Sequence, residues 1–179
     1  MEDILEFWFV SIEPKQWWKK DAEFDTLCLT RFGAAYEAAA RGEFEDWKAS
    51  PLGCVALCLL LDQVPRNAFR ETPQAFATDA NALAVTHHAV ACGFDLDPSL
   101  DDSHRQFLYM PLQHSERIED QHEALRLADR ITRWDFAGFA KRHHDIVARF
   151  GRFPHRNAIL GRESTEEERQ FLTQPGSSF

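Results

Sequence analysis

Two short stretches carry the side chains best suited to chemistry. Val64-Pro65-Arg66-Asn67-Ala68 and Phe153-Pro154-His155-Arg156-Asn157-Ala158 each set an arginine and an asparagine behind a proline, after a helix-like run. Arg66, Arg152 and Arg156 offer planar forks that match a carboxylate or a phosphate. Asn67 and Asn157 both donate and accept hydrogen bonds, and His155 adds an imidazole. Asp62 stands one turn before Arg66, where an ion pair would orient the guanidinium. If the two corners face one centre, they line a pocket for an anionic small molecule or a peptide carboxylate. The same residues also suit a helix end with no ligand, because Asn tolerates left-handed dihedrals and Arg bonds the last carbonyls.

A second group is Pro111-Leu112-Gln113-His114-Ser115-Glu116. His114 and Glu116 flank a helix start, where free backbone N–H groups favour anions. An imidazole and a carboxylate facing one cleft would serve as acid and base. The enzymatic alternative is therefore a metal-independent hydrolase or lyase using His114 or His155, with an arginine stabilising developing negative charge. Ser115 as cap and Glu116 as a first-turn acid is the plain structural alternative. A third reading makes the corners structural and the protein an interaction scaffold, with an aromatic surface at Trp17, Trp18 and Trp47.

Metal and cofactor chemistry find no pattern. Glu119-x-x-His122 has the spacing of a di-iron carboxylate bundle, but such a site needs a second copy of the motif and two more glutamates. His87-His88 and His143-His144 are adjacent pairs, whose members point to different faces of a helix. No phosphate-binding loop, dinucleotide fingerprint or nucleophile elbow occurs. No cofactor is expected.

The elements that must position these groups follow from composition and periodicity. A chain of 179 residues, 44% hydrophobic and 12% aromatic, makes one domain over residues 1–179 with a continuous core. Its net charge of −9 disfavours nucleic acid and anionic membranes as partners. Between Lys141 and Arg162, however, six basic residues face Asp145 alone, so this segment is +5 and the remainder −14. Such a patch suits a small anion, or pairing with the chain's own acids. Cys28, Cys54, Cys58 and Cys92 lack a Cys-x-x-Cys spacing and read as reduced thiols of a cytoplasmic protein. No signal peptide is evident, and no stretch approaches the ~20 apolar residues of a membrane span.

Along the chain, Asp21 caps a helix through Phe24, Leu27, Cys28, Phe32 and Tyr36 that ends at Gly42. Ser50-Pro51 opens a helix apolar on nearly every side, which Pro65 should stop at Asp62. Thr72-Pro73 opens the next, closing at Gly93. His104 to Met110 should end at Pro111, Ser115 should cap a helix through Ile131, and Trp134 to Phe150 forms another. Ser164-Thr165-Glu166-Glu167 reads as a capping box for a short last helix. No strand alternation appears. The chain is all-α, with seven or eight helices packed as antiparallel pairs.

Six segments together resemble one family: Ile4–Phe9, Asp62–Asn67, Phe76–Ala80, Pro111–Glu116, Gly151–Asn157 and Pro175–Phe179. It is the largely bacterial domain-of-unknown-function family nine-two-four. The resemblance implies a tetratricopeptide-like α-α superhelix. It carries no activity and no catalytic residue, but its segments fall on the same polar corners.

Overall fold

The computed structural model describes residues 1–132 and 135–179, and among them the chain is all-α, with no strand. The helices are α1 (Glu2–Glu6), α2 (Ala22–Ala40), α3 (Pro51–Cys58), α4 (Val64–Ala68), α5 (Asp79–Ala91), α6 (Asp102–His114), α7 (Ile118–Ala128), α8 (Phe136–Phe150) and α9 (Glu166–Leu172). Short 3₁₀ turns join several of them, and π-turns at Phe7–Ser11 and Leu59–Gln63 extend α1 and α3. The expected helix start at Trp134 lies outside the described residues; α8 runs from Phe136, with the Asp135 carboxylate accepting the Gly138 N–H.

Caps set the boundaries. Asp21 accepts from the Glu23 and Phe24 N–H groups, and the Ser50 hydroxyl accepts from Gly53. Gly53 is also a close approach: a Cβ there would sit 2.0 Å from the Trp47 carbonyl oxygen. Thr165 and Glu168 form the capping box of α9. Ser115 is not the cap of α7, which starts later at Ile118; its hydroxyl instead accepts from the Arg117 N–H and donates to Asp120 at 2.6 Å.

Two proline stops are corrected. Pro65 does not end the helix, since α3, the π-turn and α4 run on from Pro51 to Ala68. A proline inside a helix removes an N–H and crowds the carbonyl four residues back. Here that carbonyl is Leu61, at the wide π-turn, and the Thr78 hydroxyl donates to it at 2.6 Å. Pro111 likewise lies inside α6. Burial of Leu108, Tyr109 and Leu112 around it holds that helix, as packing outweighs propensity. Gln121 Nε2 then donates to the carbonyls of Leu112, Gln113 and Ser115, closing the helix end beside His114.

The core is one large cluster with α3 at its centre, from Ile4 and Trp8 through Leu59–Leu61 to Phe107, Leu127 and Ala140. Trp17 belongs to it: it is 7% exposed, with its indole N–H on the Trp8 carbonyl, so it adds no surface beside the exposed Trp18. A satellite core of Ile146, Val147 and Phe153, with Phe150 and Phe171 packed on it, supports the C-terminal corner. That corner begins at Gly151, which ends α8 in the left-handed region, at φ +68°, where a side chain would be strained. No described helix is long and apolar enough to cross a membrane.

Candidate functional site

The two Pro-Arg-Asn corners meet, and they meet on Asp79. The π-turn places Asp62 and Gln63 inside the protein, with the α4 side chains directly after them. Arg66 Nη1 and Nη2 donate to the two Asp79 oxygens at 2.8 and 3.0 Å, and Nη1 also pairs with Asp62 Oδ1 at 2.9 Å. From the other corner, Arg156 Nη1 reaches Asp79 Oδ2 at 3.2 Å. Both guanidinium groups lie over the Phe76 ring, at 5.6 and 4.7 Å, and Arg156 lies over Phe153 as well, at 4.7 Å. Asp79 occupies the first turn of α5, which starts three residues after Phe76 because the Pro73–Phe76 turn and Thr78 interrupt the expected helix.

Asp62 is 1% exposed and organises the second half of the site. Its Oδ1 accepts from His114 Nδ1 at 2.7 Å and its Oδ2 from Gln63 Nε2 at 2.5 Å. Burial opposes its charge, but Arg66 and His114 overcome that and hold the carboxyl below the usual carboxylate range. Burial, and then the Arg66 charge, push His114 below its ordinary value despite the attraction of Asp62. The pair is therefore an ionised aspartate orienting a neutral imidazole. With Nδ1 protonated toward Asp62, Nε2 is the unprotonated nitrogen, and it has no partner among the described residues.

Two further histidines stand beside His114. His143, on α8, is buried with its ring 6.0 Å from that of His114 and its Nδ1 on the Phe139 carbonyl at 2.8 Å. Burial, and secondarily His114, lower it to about 3. His155 is lowered to about 4 by burial and the neighbouring Arg156 charge, and its Nδ1 is buried without a partner among the described residues. Arg156 is 6% exposed, and its Nε is also buried without a partner among the described residues. Burial and the Arg66 charge bring Arg156 down to about 10. Its Nη1 bond to Asp79 leaves the Nε–Nη2 edge without a hydrogen bond among the described residues, and this is the edge that takes a carboxylate in two-point fashion.

The remaining candidates form the frame. Glu116 accepts the Phe153 N–H at 2.8 Å and both Arg162 Nη groups at 2.7 and 2.9 Å. Burial works against its charge, and Arg162 with that N–H still lowers its pKa. Arg152 binds Glu168 through two bonds, at 2.6 and 2.8 Å, and Asn157 donates to Ser164 and Glu168. Asn67 donates to the Gln63 carbonyl and accepts from Arg70, which itself forks onto Asp25. Arg152, Asn157, Asn67 and Glu116 thus bind the chain's own helix ends. The basic segment is neutralised in the same manner, since Lys141, Arg142, Arg149, Arg152, Arg156 and Arg162 all pair with acids of the chain.

A cavity of about 240 Å³ lies between the Phe44–Lys48 segment and α5 and touches none of these charged groups. The sequence reading missed Asp79, His143 and Phe179. The last of these stacks on His143. An acid in the first turn of α5, near two unmatched arginines, was the available signal for Asp79. No three His, Cys, Asp or Glu residues gather as a metal site among the described residues. Ser115, Asp120 and His87 sit together with the aspartate between the other two, at 2.6 and 3.0 Å, so the imidazole does not contact the hydroxyl as a nucleophile's base would.

The comparisons agree with this architecture. Residues 4–176 match the model of the family described as bacterial protein of unknown function (DUF924). A solved structure of a protein of unknown function from Agrobacterium tumefaciens, ATU0120, is similar at TM-score 0.90 and 43% identity, over 96% of this chain and 95% of that one. No curated protein matches the chain.

Proposed function

The chain belongs to this bacterial family of unknown function, and from its own geometry we propose that it is a helical binding protein for a small carboxylate, held by Arg156. One observation carries this reading. The Nε–H of Arg156 is buried with no acceptor among the described residues, a costly arrangement that a ligand oxygen would relieve. The unpartnered Nδ1 of His155, the adjacent residue, supports it. The free thiols Cys28, Cys54, Cys58 and Cys92 favour a cytoplasmic setting, and the packing of α7 on α8 and of α5 on α6 favours tetratricopeptide-like helix pairing.

Thermal shift against small carboxylates and phosphates tests it, because a ligand of the folded state raises Tm. A rise is expected with carboxylates in the unmodified protein and in Arg152→Gln, and none in Arg156→Gln. An equal rise in Arg156→Gln, or none with any anion, refutes the assignment.

The Asp62–His114 dyad favours a second reading, acid–base catalysis on the bound carboxylate. The dyad orients one nitrogen and leaves the other open, as a general base requires. Turnover of an ester or a carbon acid that falls in both His114→Gln and Asp62→Asn would support it. Turnover indifferent to both would exclude it.

A further inference from the structure

We infer that Phe179 stands where a ligand's aromatic ring belongs, so that the ligand class is an aryl-bearing carboxylate whose binding displaces the tail. This rests on the carboxylate reading of Arg156 and adds the other half of the ligand. Phe179 is 51% exposed, yet its face lies on His143 at 3.6 Å and 13°, the shortest ring separation among the described residues. Phe153 and His155 meet it nearly edge-on, at 6.4 and 6.0 Å. Three aromatic walls therefore receive one ring, in the stacked and edge-to-face arrangements that such rings prefer. His143 binds the Phe139 carbonyl through Nδ1 and is uncharged, so its face suits a neutral ring.

The ring box and the anion fork adjoin. Phe153, fully buried, touches Phe179 by its edge contact and carries the Arg156 guanidinium over its ring at 4.7 Å. A molecule with a phenyl group a few bonds from a carboxylate would meet both. The tail is built to release. Ser177 is tied by its hydroxyl to the Leu172 carbonyl at 3.2 Å and by its N–H to Gln174. Beyond it, Ser178 and Phe179 make no hydrogen bond among the described residues, and ring contacts alone seat Phe179. The last tied residue, Ser177, serves as the hinge about which the Phe179 ring leaves the ring box.

Calorimetric titration of the full chain with 3-phenylpropionate, propionate and 3-phenylpropionamide separates the two halves. The aryl acid is expected to bind more tightly than propionate, with the amide weakest. In Phe179→Ala its Kd should fall about tenfold, as for a site freed from a competing closed state, while propionate changes much less. Equal affinity for the aryl acid and propionate, with no response to Phe179→Ala, would overturn this inference and leave the carboxylate reading intact. No binding of any carboxylate to either protein would overturn the carboxylate reading itself. Circular dichroism checks that Phe179→Ala is folded. The amide comparison needs no Arg156 variant, so a folding defect there cannot blur the outcome.

Discussion

Arg66 and Arg156, far apart in sequence, grip the same carboxylate, Asp79. Both guanidinium groups are largely removed from water, and Asp79 is the counter-charge they share. Asp79→Asn keeps the shape, strands the buried Arg156 cation and leaves Arg66 with Asp62 alone. Loss of one partner of a buried pair costs about 3–5 kcal/mol, and urea unfolding should show a loss of that order. A loss below about 1 kcal/mol, the worth of an exposed pair, would mean that Asp79 does not join the corners.

Thr78 supplies the Leu61 carbonyl with the hydrogen that Pro65 lacks. Thr78→Val preserves volume and leaves that buried acceptor empty, so the expected cost is about 1–3 kcal/mol. In a Pro65→Ala background the restored N–H offers the carbonyl a replacement. The two changes should therefore be coupled, with Thr78→Val milder in the double variant. Strict additivity in the cycle would refute the compensation.

Acid should destabilise the protein early. Unfolded histidines titrate near 6.5, whereas the folded chain keeps His143 neutral to about 3 and His155 to about 4, and lowers His114 in the same direction. The unfolded state thus binds more protons as pH falls below about 6.5. Stability declines there, with a limiting slope of about 3 kcal/mol per pH unit from His143 and His155, to which His114 adds in the same direction. Only at lower pH do Asp62, Glu116 and Glu168, all depressed carboxyls, add to the loss. Urea midpoints measured from pH 7 to 5 check this, and a flat profile would contradict the neutral histidines.

Glu168 ties the C-terminal corner by receiving Arg152, Asn157 and the Thr165 N–H. Glu168→Gln replaces an acceptor with a donor at that hub. Its Tm should drop by about 3–6 °C, while carboxylate binding at Arg156 persists. Loss of binding with unchanged Tm would place Glu168 in the site rather than the frame.

Much of this could be read from residue types and spacing. Asp21 and Ser50-Pro51 start helices where their side chains say, because a cap acts locally. Asp62, Arg66, His114 and Arg156 do converge. Pro65 and Pro111 misled because their effect depends on distant groups: Thr78 replaces a hydrogen bond in one case, and buried neighbours hold the helix in the other. Arg152 and Arg156 look equivalent in sequence. The Pro154–Arg156 turn sends one to Glu168 and the other to Asp79, a distinction that only tertiary structure draws. Phe179 was invisible as a site residue because nothing local marks the ring on which it lands.

The π-turn at Leu59–Gln63 is, in the chain's own arithmetic, one residue more than an α-helix spends on the same rise. Removing one residue there would straighten the helix and rotate everything after it by about 100°. Arg66 would swing away from Asp79, and Asp62 would lose its register with His114. A single-codon deletion would thus pull the charged centre apart while leaving its residues in the chain. Any relative one residue shorter between Ser50 and Pro65 is expected to share the fold and to lack the site.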